Sequence, residues 1–240
     1  SGATLTLPSP GATNSLGANK AITIDTTDPT VSSVTSSNAD GSYKVGDVIA
    51  VDVVFSEVVN VTGTPQLTLE TGSSDAVVNY SSGSGSNTLT FNYTVASGHN
   101  SADLDYVSTS SLALNSGTIK DVVGNVATLT LASPGASGSL GANKAIVIDN
   151  SMPTMSITAD EGVDGFTSND SALSLTFTSS EAITDFIIGD ITVTGGTMSA
   201  FVALNDTIYT ATFTPSVEGS KKIGVAAGTY KDVAGNENIA

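Results

Sequence analysis

The sequence contains no cysteine, no tryptophan and no arginine, and its single histidine is His99. Without cysteine the chain cannot form disulfides, thiolate metal sites or a cysteine nucleophile. Seven lysines are outnumbered by 23 acidic residues, which gives a formal net charge of −16. Because nucleic-acid binding needs a basic surface that neutralises phosphates, this charge excludes a nucleic-acid partner.

Long apolar runs are also lacking. None approaches the roughly 18 residues that a membrane-spanning helix needs, so we expect no membrane insertion. The hydrophobic fraction is nevertheless 39 % and the charged fraction only 12 %, which is too apolar for a disordered chain. Aliphatic residues interleaved with serine and threonine are typical of β-strands with one buried and one solvated face.

Catalytic arrangements are poorly represented. A hydrolase triad would have to use His99, and no Gly-x-Ser-x-Gly elbow accompanies it. Paired carboxylates could serve a glycosidase, but tryptophan platforms for sugars are absent and aromatic residues make up only 5 % of the chain. We therefore expect no enzyme. The tyrosines leave open an alternative function, in which the chain is a ligand-binding or carbohydrate-binding module.

The chain repeats itself. Residues 3–30 and 127–154 align without gaps and are identical at 21 of 28 positions, which indicates an array of domains. A shorter echo relates residues 120–125 (KDVVGN) to residues 231–236 (KDVAGN). We predict three parts: a last-strand segment of a preceding repeat at 1–27, a first module at 28–150, and a second module at 151–240 that lacks its last strand.

Strand-like alternation recurs along both modules. It is clearest in four stretches, which are Ile49–Phe55, Leu89–Val95, Leu173–Phe177 and, more weakly, Ile208–Phe213. Segments rich in glycine, serine, asparagine and aspartate separate them. Short strands with such turn signals predict an all-β fold of tandem immunoglobulin-like, antiparallel β-sandwiches. Only Ala102–Val107 indicates a helical turn.

Acidic residues are expected to meet at one end of each sandwich. The strand before Glu57 and the strand before the turn at residues 121–125 both run towards the joint that precedes the first module. The second module repeats this order. The predicted metal-ligating set of the first joint is Asp25, Asp28, Glu57, Asp121 and Asn125, and that of the second is Asp149, Asn150, Glu181, Asp232 and Asn236.

A divalent cation would remove the repulsion among such carboxylates. Ca²⁺ accepts six to eight oxygen ligands in flexible geometry, Mg²⁺ demands a tighter octahedron, and zinc or copper prefers histidine or cysteine. The pattern therefore favours calcium. The alternative stays open, because Asp-x-x-Gly-Asn is also an ordinary turn in which aspartate and asparagine bond to their own backbone.

At these residues the chain resembles the bacterial immunoglobulin-like repeats of giant surface adhesins and secreted repeat proteins. The matching stretches are residues 24–30, 41–47, 55–57 and 120–125 in the first part of the chain, and residues 186–196, 209–214 and 225–236 in the second module. The resemblance implies cadherin-like tandem sandwiches whose joints are stiffened by calcium. It also implies an extracellular or bacterial cell-surface location and a structural spacer role in an adhesin.

The second joint departs from the family pattern. It has Asn150-Ser151-Met152 where the first has Thr26-Thr27-Asp28, so one carboxylate is lost.

The expected partners are neighbouring repeats of the same chain, with a distal glycan or host-surface ligand for the parent protein. An unpaired sheet edge is a template for another strand. We therefore also expect a head-to-tail exchange in which residues 3–25 of one molecule complete the second module of another.

Overall fold

The computed structural model describes residues 2–3 and 5–240, so Ser1 and Thr4 of the predicted segment 1–27 lie outside the described residues. Strands make up 41 % of the chain and helices 5 %. The sheets are curled and almost entirely antiparallel, which confirms the predicted all-β sandwich class. Within the described residues, no helix has the length and apolar character that a membrane crossing requires.

The first module contains ten strands. They are β1 (Val31–Ser36), β2 (Gly41–Tyr43), β3 (Val48–Thr62), β4 (Gln66–Glu70), β5 (Ala76–Ser82), β6 (Ser86–Thr94), β7 (Asp105–Tyr106), β8 (Leu112–Ala113), β9 (Thr118–Lys120) and β10 (Ile146–Ile148). The order of the main sheet is β1-β3-β6-β5-β4-β7, with β8 on β4 and β9 on β3. The alternating side chains of β3 and β6 fill the core, as the sequence predicts.

Strand β3 is long enough to pair with different strands along its two parts. Its first part pairs with β1 and β6, and its last residues, Asn60–Thr62, pair with β9. The register with β6 shifts between Val54 and Val59, so the strand bends there. Glu57 lies within this bend, and the bend carries its side chain towards the turn that follows β9.

The last strand of the first module, β10, pairs with an early strand, β2. β10 pairs with β2 in parallel, with Ile146 opposite Gly41 and Ile148 opposite Tyr43. Thr30 and Thr128 form a second parallel bridge. The last strand therefore lies beside β2, and the chain around Thr128 lies beside the start of the module.

The second module contains six strands. They are β11 (Met155–Ala159), β12 (Leu173–Ser179), β13 (Ile191–Val193), β14 (Gly196–Ala203), β15 (Ile208–Pro215) and β16 (Ile223–Val225), with a 3₁₀ turn at Ile188–Asp190. One sheet has the order β11-β12-β15-β14, and β13 pairs with β16. Aromatic rings form much of its separate core, where Phe186 contacts Phe177, Phe201, Tyr209 and Tyr230.

The predicted helical turn at Ala102–Val107 is wrong. β7 lies there and pairs with β4, and Leu104 is completely buried. The chain instead forms two short helices, α1 (Leu16–Asn19) and α2 (Leu140–Asn143), one in each copy of the repeated LGAN sequence. A serine precedes each helix and accepts a hydrogen bond from a backbone N–H in its first turn, which is the usual stabilisation of a helix start.

Candidate metal sites

Two similar turns hold an aspartate each. Asp121 follows β9, and its Oδ1 accepts hydrogen bonds from the backbone N–H groups of Val123, Gly124 and Asn125 at 2.9, 2.6 and 2.8 Å. Gly124 has φ +110°, a conformation that favours glycine. The sequence Asp-x-x-Gly-Asn therefore folds locally into a turn around a nearly buried carboxylate.

The turn in the second module is built in the same way. Asp232 Oδ1 accepts a bond from Asn236 N–H at 2.8 Å, and Asp232 Oδ2 accepts one from the Asn236 amide at 2.8 Å. Gly235 has φ +88°. Both aspartates are buried, so each turn presents its carboxylate inside the protein surface rather than on it.

Each turn meets two further carboxylates. Ligand atoms of Asp25, Glu57 and Asp121 all lie within 4.8 Å of one another, and we name these residues the first acidic cluster. Ligand atoms of Asp149, Glu181 and Asp232 satisfy the same limit and form the second acidic cluster. These two groups could hold a metal ion.

The second cluster joins the two modules. Asp149 directly follows β10, whereas Glu181 follows β12 and Asp232 begins the turn near the end of the chain. Lys44, which follows β2, donates from its Nζ to the carbonyl oxygen of Gly235 at 2.8 Å. Residues of both modules thus converge on this turn. Sequence reasoning missed Lys44, because nothing local marks a lysine that contacts a residue 191 positions away.

The two predicted asparagines in the turns contact the clusters through their amide nitrogens. Asn125 Nδ2 donates to Asp121 Oδ2 at 2.7 Å and to the carbonyl oxygen of Asp25 at 3.3 Å. Asn236 Nδ2 donates to the carbonyl oxygen of Asp149 at 2.9 Å. Each asparagine therefore ties the joint to the turn and orients the carboxylates.

Besides the two turn asparagines, two predicted residues lie outside the clusters. Asp28 is exposed and is not among the three clustered residues of the first joint, although its charge acts on Glu57. The Asn150 Oδ1 accepts a bond from Val45 N–H at 2.7 Å, and its Nδ2 donates to the carbonyl oxygens of Ala96 and His99. Asn150 therefore holds loops of the first module together.

A pair of serines also positions the joints. Ser56 Oγ accepts a bond from Thr30 N–H at 3.0 Å, and Ser180 Oγ accepts one from Thr154 N–H at 3.0 Å. Each serine precedes the cluster glutamate, and each threonine follows the proline of a joint. Sequence reasoning missed these bonds, although the repeated Ser-Glu pair was their visible signal.

The carboxylates of a cluster experience different environments. Burial raises the pKa of Glu181, and the charges of Asp149 and Asp232 raise it further. Burial likewise raises the pKa of Glu57, with additional effects from Asp25, Asp121 and Asp28. In each cluster the ionised form of the glutamate is therefore disfavoured.

Asp121 behaves in the opposite way. Burial alone would raise its pKa, but the hydrogen bonds from Asn125, Gly124 and Val123 outweigh burial and lower it.

Among the described residues, the one salt bridge joins Lys144 to Asp40 and lies outside both clusters. No basic side chain of the described residues therefore forms a salt bridge with a carboxylate of either cluster.

Comparison with known families bears on the second module. Residues 149–240 match the family model of a bacterial Ig-like domain. The second module is thus similar to a bacterial Ig-like domain. The matched region covers less than half of the chain, and it includes all three residues of the second acidic cluster. A comparison with curated proteins found no match.

This match confirms the predicted resemblance to bacterial immunoglobulin-like repeats. Bacterial Ig-like domains are structural or extracellular modules, usually extracellular or at the cell surface, and they are generally not catalytic. The second acidic cluster thus lies within the region that resembles such a module.

Proposed function

We propose that the chain is a spacer region of a bacterial surface or secreted adhesin, and that Ca²⁺ bound at the acidic clusters stiffens its joints. The observation that carries this proposal is the recurrence of one three-carboxylate arrangement at both joints. Asp25 and Glu57 lie 124 positions before Asp149 and Glu181. A chance cluster of surface acids would have no reason to recur at corresponding places.

The chemistry of the clusters favours Ca²⁺ over other ions. Each offers three carboxylates, and the carbonyl oxygens of the joint lie nearby, so an all-oxygen ligand set is available. Such a set suits Ca²⁺, with six to eight oxygens at about 2.3–2.6 Å. Zinc sites are usually built from cysteine and histidine, and neither residue belongs to a cluster.

Stiffening follows from where the ligands come from. In the second cluster, Asp149 belongs to the segment that leaves β10, while Glu181 and Asp232 belong to the second module. An ion held by all three would fix the segment between the modules to the module that follows it. Its binding would also stabilise the folded state, because an ion that binds only the native protein adds to the free energy of unfolding.

The test is calcium-dependent stability with a charge-neutralising variant. We expect added Ca²⁺ to raise the melting temperature of the second module and a chelator to lower it. The stabilisation is about 1.4 kcal/mol when free Ca²⁺ is tenfold above Kd. Glu181→Gln should abolish this response, whereas Glu218→Gln, at an exposed glutamate of the same module, should keep it.

Ionic strength needs a separate control, because salt also screens a chain of charge −16. NaCl matched in ionic strength should reproduce none of the saturable stabilisation, and Mg²⁺ should act more weakly than Ca²⁺. Equal responses to all three salts, or a wild-type protein insensitive to Ca²⁺ and chelator, would refute the calcium part of the proposal. Calorimetric titration then gives the stoichiometry.

The alternative function, recognition of a glycan or host ligand, has weaker support. A shallow groove of about 600 Å³ is lined by Asn79, Tyr80, Asn92, Tyr93 and His99, among others. Tyr93 is only 2 % exposed, and its hydroxyl forms a 2.8 Å hydrogen bond with His99 Nδ1. Its ring therefore offers no free face for stacking on a sugar, and the spacer role is favoured.

A further inference from the structure

The segment between the two modules, residues 149–154, is bonded at both of its ends. At the first module, the backbone N–H of Asp149 donates to the carbonyl oxygen of Tyr43 at 2.9 Å. At the second module, Thr154 N–H donates to Ser180 Oγ at 3.0 Å, and Ser180 N–H donates back to the Thr154 carbonyl oxygen at 2.9 Å. Bending between the modules is therefore confined to the interior of this segment.

Asn150 shortens this flexible part further. Its backbone N–H donates to Asn100 Oδ1 at 3.1 Å, and its side chain is bonded to the loops after β2 and β6. Among the residues that follow, Pro153 has a fixed φ, and Met152 is restricted because it precedes a proline. Few backbone torsions, mainly those of Ser151 and Met152, therefore remain for a hinge.

Lys44 spans this hinge from another strand. It directly follows β2, and because Ile148 of β10 lies opposite Tyr43 of β2, it leaves the first module beside Asp149. Its Nζ donates to the carbonyl oxygen of Gly235 at 2.8 Å, and its side chain is partly buried. This bond joins the modules directly, without passing through the segment between them.

The side chain of Lys44 also packs along the turn that it contacts. A Cβ built on Gly235 would lie 3.6 Å from Lys44 Cε and 3.9 Å from its Cδ, so the aliphatic stem runs beside this glycine. At the next residue, the Asn236 amide donates to the carbonyl oxygen of Asp149 at 2.9 Å. The turn is thus held from the ends of two neighbouring strands of the first module, and two contacts prevent the swivelling that a single contact would permit.

We propose that Lys44 is a latch that holds the second module in one orientation on the first without a bound ion. The surface that it recognises is a carbonyl oxygen in the Asp-x-x-Gly-Asn turn of the neighbouring module. An ion at the second acidic cluster would tie Asp149, which lies in the connecting segment, to the second module. Lys44 instead ties the body of the first module to the second, so its action does not rest on calcium.

The chemistry of a lysine suits this position. Its ammonium is a charged donor, and hydrogen bonds from charged donors are stronger than those between neutral groups. The turn that it contacts begins at Asp232, so the local charge attracts a cation. Among the described residues, Lys44 forms no salt bridge with a carboxylate of the second acidic cluster. The latch therefore leaves those carboxylates available to an ion, and both can act at the same joint.

Residual dipolar couplings of backbone amides, measured in chelator, test whether the two modules form one rigid unit. In wild type we expect the couplings of both modules to fit a single alignment tensor. Lys44→Met keeps most of the aliphatic stem and removes the donor, so it should give the two modules tensors of different magnitude. Lys222→Met, at an exposed lysine of the second module, should behave like wild type.

The outcomes separate the latch from the calcium proposal. A wild-type protein whose modules share one tensor only after Ca²⁺ is added would overturn the latch and support the ion. A single tensor that persists in Lys44→Met would also overturn the latch. A wild-type protein that is rigid in chelator, loses this rigidity in Lys44→Met and does not respond to Ca²⁺ would support the latch and refute the calcium part.

A measurement on the unaltered sequence guards against a variant that misfolds. Reductive methylation read by peptide mass spectrometry compares Lys44 with Lys120, which is also partly buried and whose Nζ has neither a salt bridge nor a hydrogen bond among the described residues. In chelator Lys44 should react more slowly, because its amine must first leave the carbonyl oxygen of Gly235. Equal rates at the two lysines would contradict the latch.

Discussion

At the level of single residues, the turn aspartates and the glutamates of the clusters have different electrostatic environments. Asp121 and Asp232 accept backbone hydrogen bonds within their turns, so they serve folding whether or not an ion is present. Glu57 and Glu181 have raised pKa values because burial and neighbouring charges disfavour their ionised forms. The glutamates are therefore the residues at which an ion would act most strongly.

This difference predicts a pH dependence for the metal-free protein. Because the folded-state pKa of Glu181 lies above the ordinary value of 4.5, the native state binds more protons than the unfolded state just above that pH. The free energy of unfolding should therefore fall as pH rises through this window. Urea unfolding in chelator from pH 4 to 7 should show the fall in wild type and a smaller one in Glu181→Gln.

The same variant makes a second distinction at neutral pH. In chelator, Glu181→Gln should be more stable than wild type, since one of three clustered charges is gone, and in Ca²⁺ the order should reverse. A wild-type profile parallel to that of the variant at all pH values would mean that the cluster carries no net repulsion.

Asp121 affects stability in a lower pH range than Glu181. Because its folded-state pKa is lowered, the stability that it contributes is lost only as pH falls below about 3.8, the ordinary pKa of an aspartate.

Close packing at one glycine gives a stability prediction. A Cβ on Gly196 would lie 2.4 Å from ring atoms of Phe213 and 2.6 Å from the carbonyl oxygen of Thr214. Gly196→Ala should therefore destabilise the second module by about 1–3 kcal/mol, as overpacked cores do. Gly189→Ala, whose Cβ would meet only Ile187 at 3.7 Å, is the matched control. Equal stability of both variants in chemical denaturation would contradict the prediction.

At the level of strands and helices, the two copies of the repeated segment allow a matched pair of substitutions, because the same residue is buried in one copy and exposed in the other. Ile146→Ala removes a completely buried side chain from β10 and should cost about 2–5 kcal/mol. Ile22→Ala changes the corresponding residue of the N-terminal copy at residues 3–30, which is 64 % exposed, and should change the free energy of unfolding by less than about 0.5 kcal/mol. Both are measured by urea unfolding at a concentration where the chain is monomeric. Equal effects would mean that the two segments share one environment.

Sequence patterns predicted the central strands well and the edges poorly. Alternation in β3, β6 and β12 is visible because each strand buries one face of its own sequence. The pairing of β10 with β2 is not visible, because each strand has three residues and their partners lie 105 positions apart. Ala102–Val107 was misassigned because its buried residues follow one another without a period, and tertiary contacts decide its conformation.

The candidate clusters were predictable only in outline. The repeated Asp-x-x-Gly-Asn turns and the glutamates of the repeated Ser-Glu pairs are readable in the sequence, and the fold brings Asp25, Glu57 and Asp121 together. Glu57 lies inside the long strand β3 and not after its end, where the alternation had predicted it. The hydrogen bonds that commit Asn150 to loops of the first module could not be read, because its partners, such as Val45 and Ala96, are set by loop geometry. That a metal binds at either cluster stays a prediction.

The whole molecule contains two cores of unequal size. Within the described residues, 23 buried hydrophobic side chains form the core of the first module and nine form that of the second. Since stability scales with buried apolar surface, calorimetry should resolve two transitions, and the lower one should belong to the second module. Gly196→Ala should move only the lower transition. A single transition that moves as a whole would show that the modules unfold together.

The parallel contacts at the two ends of the first module have a mechanical consequence. Thr30 meets Thr128, and β2 meets β10, each in parallel. A pulling force that enters before β1 and leaves after β10 acts on opposite ends of these pairs, so it loads their hydrogen bonds in shear and all at once. Strands that peel apart break one bond at a time and yield at lower force. We therefore expect these short parallel contacts to bear much of a stretching load on the first module.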